Sequence, residues 1–449
     1  MVSISHALRQ VKEDLPRLIE AHVHEALDQL PGFLWRDRLL NPLVTLLLFI
    51  TQVMHGNTAI THLRHLWPAP FSATAYCKAR QRLPLALVQR LTRSVTRQVR
   101  ADHDSDIPRW RGHRVWRGDG SSFSMPDTPE LQRHFGQPGQ QRLGCGFPVA
   151  TLMVLCDAAG FIVKTLALPL RTHEGSQVAQ LHDELAPGDV LVYDRAGCSY
   201  AHLALCFHRN LQMIVRMHQR QIVDFRSGRR HAGQYPKQLR RGAPRSQWLK
   251  RLGPRDQLVR WFKPAQRPTW MDQADYDALA DSLVVRELRV AVSRPGFRSK
   301  SVTLASTLTD EQAYPKADLA DQYLGRWRIE VNLRDLKQTL GMDVLKCKTV
   351  DGVLKELAVF VLVYNLVRLV MVRAAQRQKV VVDRISFIDA LRWLRDARDR
   401  DELLELLVNP SRADRVERRV VKRRPKPYPL MNRPRMELRN MLTSQRVAA

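Results

Sequence analysis

The chain has 449 residues, long enough to bury a sizeable core and to form two or more domains. Hydrophobic residues make up 44% of it, a globular share, but the formal net charge is +28 and the pI about 10.6. Such an excess repels itself and calls for a polyanionic partner, nucleic acid first and an anionic membrane surface second. The charge is concentrated. Arg209 to Arg260 holds 14 Lys/Arg against 2 Asp/Glu, and Arg412 to Arg435 holds 10 against 2. The two stretches supply 20 of the 28 excess charges, which points to dedicated contact surfaces. The six cysteines are scattered, with no CxxC and no paired His spacing. That argues against structural zinc and for a reduced intracellular setting. The N-terminus lacks a basic–apolar–small signal pattern. The most apolar run, Leu357 to Val372, contains Tyr364, Asn365 and Arg368, so it reads as a buried helix and not as a membrane span. A soluble, cytoplasmic, nucleoid-associated protein is expected.

Residues 1–105 read as helical. Leu8, Val11, Leu15, Leu18 and Ile19 recur at helical spacing, and Pro31-Gly32 breaks the pattern. A Leu/Ile-rich run follows from Leu39 to Met54. Asn57 is placed to cap a short helix through Leu66, and Ser72 another through Arg82. Pro84 opens a helix with Arg90, Arg93, Arg97 and Arg100 on it. This basic edge fits DNA binding and a solvated helix face equally well.

From Arg114 the period changes. Val115 to Asp119 is strand-like and expected to end in the turn Asp119-Gly120-Ser121. Pro148 to Cys156 and Phe161 to Leu170 read as a hairpin around Asp157–Gly160. Glu174 to Leu185 has helical spacing. Val190 to Tyr193 is a buried-type strand that stops at Asp194. Three strands, a helix and a strand predict a mixed α/β sheet, in which strand ends gather functional side chains. Residues 106–208 form this first part. Residues 209–305 read as a β-rich basic domain, with short runs at Leu211–Met217, Gln221–Phe225, Leu258–Phe262, Leu283–Val292 and Ser301–Ser306. Trp248, Trp261, Phe262 and Trp270 are interleaved with its cations, as in a nucleic-acid groove; Trp248 and Trp270 also suit a small β core.

Ala317 to Thr349 reads as one long helix with a turn at Gly341. On it Tyr323, Arg326, Glu330 and Lys337 fall within an arc of roughly 60°. Ile329, Leu333, Leu336 and Leu340 form a separate apolar stripe. Val353 to Ala375 is apolar all round and should pack on the sheet. Residues 306–376 thus close the α/β part. Residues 377–449 add one or two helices and an Arg/Lys/Pro tail, expected to lack fixed structure when free.

Asp119, Asp194 and Glu330 are three carboxylates, two at strand ends and one on a helix. Phosphodiester chemistry with two divalent cations needs little else, since Mg²⁺ prefers oxygen ligands and keeps several waters. A Ser nucleophile with a His base stays open through Ser121, Ser122, His173 and His182, though no GxSxG elbow accompanies them. His173-Glu174 lacks the downstream His of a zinc helix.

Asp119-Gly120-Ser121, the strand end Asp194-Arg195 and Tyr323–Arg326–Glu330–Lys337 together resemble the DDE transposases of bacterial insertion sequences. The match is to the group with the Tyr-x2-Arg-x3-Glu-x6-Lys signature, the insertion-sequence-four type. Arg326-Trp327-Arg328-Ile329-Glu330, Leu340-Gly341-Met342-Asp343 and the stretch Ser72 to Pro84 agree with it. The resemblance spans roughly residues 40 to 375. It implies an RNase H-like catalytic core, interrupted by a β-rich insertion domain and preceded by an all-α DNA-binding domain. It also implies Asp119, Asp194 and Glu330 as catalytic Mg²⁺ (or Mn²⁺) ligands. Tyr323, Arg326 and Lys337 would bind DNA phosphate, and an aromatic of the insertion could stack on a flipped base. The expected function is metal-dependent cleavage of double-stranded DNA at element ends and strand transfer, by a homodimer on DNA. The alternatives are a related nuclease without strand transfer and a non-catalytic DNA-binding protein.

Overall fold

The computed structural model describes residues 17–30, 32–35, 38–232, 243–292, 301–396, 406–408, 431 and 433–447. Leu8, Val11, Leu15 and most of the basic tail lie outside the described residues.

Helices come first. Helix α1 spans residues 17–28. In α2 (Pro42–Met54) the Asn41 Oδ1 accepts the Val44 amide at 2.9 Å, and Pro42 sits where no donor is needed. Then come α3 (Ile60–Leu63) and α4 (Ala73–Arg82), the latter capped by Ser72 Oγ on the Ala75 amide at 3.1 Å. Helix α5 (Leu85–Asp102) follows Pro84. Asn57 does not cap a helix. Its φ is +53°, it is buried, and its Nδ2 donates to Glu356 Oε1 at 2.5 Å. The expected helix from Asn57 to Leu66 therefore shrinks to α3.

The sheet is built from β1 (Arg109–Trp110), β2 (His113–Ser124), β3 (Val149–Cys156), β4 (Ile162–Pro169), β5 (Val190–Tyr193), β6 (Gln212–Arg216), β7 (Gln247–Gly253), β8 (Asp256–Phe262), β9 (Ser282–Ala291) and β10 (Ser301–Ser306). Its order is β4-β3-β2-β5-β6-β10-β9-β8-β7, with β1 paired to β2 off this path. Strands β2, β3 and β4 are antiparallel, while β5 and β6 run parallel to β2. Interspersed are α6 (Pro129–Phe135), a 3-10 stretch at Glu174–Glu184, a 3-10 turn at Arg195–Gly197, α7 (Tyr200–His208) and α8 (Gln273–Ala278). After β10 come α9 (Lys316–Leu324), α10 (Trp327–Arg334), a π-helical turn at Asp335–Thr339, α11 (Val350–Gln378), α12 (Phe387–Asp396) and α13 (Arg435–Val447).

The alternation along β2 and β3 divides the core. Phe123, Leu152 and Val154 share one cluster with α1, α2, α5, α10 and α11. Trp116, Met153, Leu155 and Tyr193 share another with α7 and the 3-10 stretch. Helix α11 has the length and apolarity of a membrane span, yet 89% of its apolar window is buried. A helix apolar all round belongs inside, and here it lies against α5, α2 and the sheet.

Several expectations change. Strand β2 does not end at Asp119. Pairing with β3 runs on through Ser124↔Val149, overriding the turn-like composition of Asp119-Gly120-Ser121. The long helix is broken at Gly325 and again by the π turn, where the Leu340 amide reaches back to the Asp335 carbonyl at 3.0 Å. A Cβ on Gly325 would lie 3.5 Å from Nη2 of Arg117 on β2, an ordinary contact, so the space is not what breaks the helix here. Glu174–Glu184 winds as 3-10 and not as an α-helix. Gln221–Phe225 forms no strand. Strand β6 lies beside β5, and β10 pairs with it directly, so β7 to β10 extend the same sheet. The far end of the tail folds as α13, with Arg435 over the Phe147 ring at 3.8 Å.

Candidate active site

Strand β5 pairs with β2 only over Val115–Arg117. Beyond that point β2 has lost its parallel neighbour, and the chain turns away at Asp194. This notch in the sheet is where the acidic side chains gather.

Asp119 projects from β2 toward α10. Its Oδ2 accepts Arg326 Nη1 at 2.9 Å, and its Oδ1 accepts the Gly120 amide at 3.0 Å. Arg326, at the α9–α10 junction, also donates from Nη2 to Glu330 Oε1 at 3.0 Å, one turn along α10. The guanidinium therefore bridges two carboxylates that are far apart in sequence. Lys337, on the π turn, donates from Nζ to Ser121 Oγ at 2.8 Å, two residues along β2 on the same face as Asp119. Tyr323 is buried against β5 and β6, near Arg326. Asp194 caps the turn that follows β5, its Oδ1 accepting the Ala196 amide at 2.7 Å. The structure thus brings Asp119, Arg326 and Glu330 into direct contact, with Lys337 and Asp194 beside them.

Electrostatics follow from this crowding. Burial pushes the Asp119 carboxyl up to about 6, and Asp194 and Glu330 add to the rise. The Arg326 ion pair acts in the opposite direction and does not outweigh burial. Arg326 shows the converse. Burial would lower it, but Asp119, Tyr323 and Glu330 hold it above its ordinary value. Burial lowers Lys337, Asp343 opposing, and raises the Tyr323 phenol.

The Ser/His alternative does not assemble. Ser121 accepts Lys337, and the His173 Nδ1 accepts the Gly175 amide at 3.1 Å. His182 is buried beside Cys206, and desolvation drives its pKa down to about 3. The basic edge of α5 is also thinner than its sequence suggests. Arg100 pairs with Asp157 at 2.7 Å and lies over the Trp116 ring at 4.8 Å, leaving Arg93 and Arg97 exposed.

The profile of the transposase DDE domain family matches residues 111–366, more than half of the chain and all of this site. The chain belongs to the DDE transposase family. The curated transposase InsG of insertion sequence element IS4, from Escherichia coli strain K12, is 27% identical over 391 residues, 80% of this chain and 79% of that protein. Among solved structures, the cryo-EM piggyBac transposase synaptic complex with hairpin DNA aligns with 84% of this chain and 77% of its own, at 11% identity and a TM-score of 0.41.

The transposase carries one site residue that the sequence reading passed over. Glu174, which opens the 3-10 stretch, lies against Gly120, where a Cβ would fall within its carboxyl group. Burial, then Asp194 and Asp119, push the Glu174 carboxyl up to about 7. In sequence, His173-Glu174 reads only as a zinc motif without its second His. The signal available in sequence is an acidic residue soon after a strand, as Asp194 is after β5.

Proposed function

We propose that this transposase cleaves double-stranded DNA at the ends of its element and joins the freed 3′-hydroxyl to target DNA, with divalent ions held by Asp119, Asp194 and Glu330. The observation that carries this reading is the Arg326 bridge between Asp119 and Glu330, which marks a cation position between carboxylates of β2 and α10. The all-oxygen donor set suits Mg²⁺ or Mn²⁺. Among the described residues no three acidic, His or Cys side chains are grouped closely enough to hold an ion as they stand. Arg326 occupies the place between Asp119 and Glu330. When bound, such ions supply Lewis-acid stabilisation of an in-line displacement at phosphorus.

The chain's own residues do the rest. Arg326 leaves its carboxylates for a DNA phosphate, for which its planar fork is well shaped. Tyr323 steers it, and Lys337 adds a second cation on the same helical arc. The exposed Arg93, Arg97, Arg251, Arg255 and Arg260 supply sequence-independent attraction to DNA. Two ends must be held together, so the working unit is a homodimer on DNA.

The test is Mg²⁺- or Mn²⁺-dependent nicking of an end-bearing plasmid, followed by strand transfer from pre-cleaved ends. Asp119→Ala and Glu330→Ala should each abolish cleavage while DNA binding persists. Undiminished cleavage in either variant sinks the carboxylate assignment. Cleavage without joining by the wild-type protein leaves the nuclease reading instead.

A further inference from the structure

We propose that Glu174 is a fourth acidic residue of the metal centre, accepting hydrogen bonds from the water shell of an ion held by Asp119 and Asp194. This rests on the proposed metal chemistry and extends it to a residue outside the family's three-carboxylate signature.

The argument begins with how the turn around Glu174 is held. Its backbone packs against the Asp194 turn and is held by α7 and by its own side chains. At Gly175 the two turns approach so closely that a Cβ would lie 2.8 Å from the Ala196 carbonyl oxygen. The Gly175 carbonyl accepts His202 Nε2 at 2.7 Å. His202 is itself fixed, buried on α7 and stacked on Trp270 with ring centroids 4.6 Å apart. The His173 ring accepts the Gly175 amide, and Ser176 Oγ donates to the His173 carbonyl at 2.6 Å. A buried histidine, a tryptophan and a glycine contact thus hold this one turn at the notch.

The side chain so positioned is not used by the fold. Among the described residues the Glu174 carboxylate has neither a hydrogen bond nor an ion pair. It lies against β2 on the face opposite Asp119, and Gly120 provides the space. Both neighbours that act on it, Asp194 and Asp119, carry the same sign of charge. A half-buried carboxylate placed among others of its kind, without a donor, lowers the stability of the empty protein. It becomes favourable when a cation and its waters supply the donors. Mg²⁺ and Mn²⁺ keep several waters when bound by a few carboxylates. Acceptors beyond the direct ligands change metal affinity by roughly 10–100-fold.

The experiment is Mn²⁺ binding to the full-length, DNA-free protein, read by the loss of the free-ion EPR signal. The proteins compared are wild type, Glu174→Gln, Glu174→Ala, Glu174→Asp and Asp119→Ala, and each is also melted without metal. Glu174→Gln keeps the shape and removes the charge. It should bind Mn²⁺ about tenfold more weakly. Its metal-free melting temperature should be equal to or above wild type, because a repelled charge is gone. Glu174→Asp should retain more affinity than Glu174→Gln. A purely structural Glu174 would do the reverse, lowering the melting temperature and leaving Mn²⁺ affinity alone. Unchanged Mn²⁺ binding in Glu174→Gln alongside its loss in Asp119→Ala overturns the Glu174 assignment alone. Unchanged binding in both overturns the metal reading and Glu174 with it.

Discussion

Gly120 shows how finely the site depends on single atoms. It lies inside β2, where glycine is ordinarily a liability because it adds backbone entropy and packs nothing. Its neighbours explain it. Asp119 on one side meets Arg326, and on the other face the Glu174 carboxyl fills the space a side chain would need. Gly120→Ala should therefore drive Glu174 out or shift β2 by a fraction of an ångström. Misplacement of about 1 Å near reacting groups can cost about 100-fold in rate. We expect Gly120→Ala to lose about that much nicking activity and to bind Mn²⁺ more weakly, with an unchanged far-UV CD spectrum. Gly139, where a Cβ would meet nothing within 4 Å, provides the control. Gly139→Ala should match wild type in both assays. Equal activity in the two variants would mean that the Gly120 contact is irrelevant.

Among the elements, those governed by local rules could be read in advance. Ser72 caps α4, the Asp157–Gly160 turn joins β3 to β4 with Gly160 at φ +89°, and the all-round apolarity of α11 marks a buried helix. The elements that were misread are set by distant partners. Asp119-Gly120-Ser121 looks like a turn until β3 pairs with it. The helix around Tyr323 looks continuous, yet in the folded chain α9 ends at Gly325 and α10 starts anew. Glu174 could not be placed from local pattern, because Gly120 and Asp194 reach it only through the folded sheet. Helix α11 makes the same point energetically. Its Asn365 Oδ1 accepts the Ile162 amide at 2.9 Å, while its Nδ2 donates to the Ile162 carbonyl and to Thr96 Oγ1, both at 2.8 Å. One amide thus joins α11, β4 and α5. Asn365→Leu would leave buried groups of Ile162 and Thr96 unpaired, at about 1–3 kcal/mol each. The denaturation midpoint should fall by an amount worth at least about 3 kcal/mol, with Mn²⁺ binding unchanged. An unchanged midpoint would show that this amide does not hold the three elements together.

Taken as a whole, the molecule carries a charge of +28 that favours a polyanion and strains the free fold, so its response to pH matters. Two sets of buried groups act with opposite sign. Asp119 and Glu174, raised to about 6 and about 7, hold protons in the native state that the unfolded chain has released. Their contribution to stability therefore declines as pH rises from about 4 to about 7. His182 and His202 are lowered to about 3 and about 4, chiefly by burial. Below their ordinary value of 6.5 the unfolded chain takes up protons that the native state refuses, so their contribution is lost as pH falls through that value. The wild-type curve sums these slopes and cannot separate them, but a variant can. Replacing His182 by Asn removes a proton acceptor that only the unfolded chain uses near pH 6. By linkage that is worth about 1 kcal/mol at pH 5.5. Whatever the substitution costs at pH 7.5, the melting temperature of His182→Asn should fall less between pH 7.5 and 5.5 than that of wild type. Parallel curves would mean that His182 takes up its proton in the folded protein too, and that its pocket admits water.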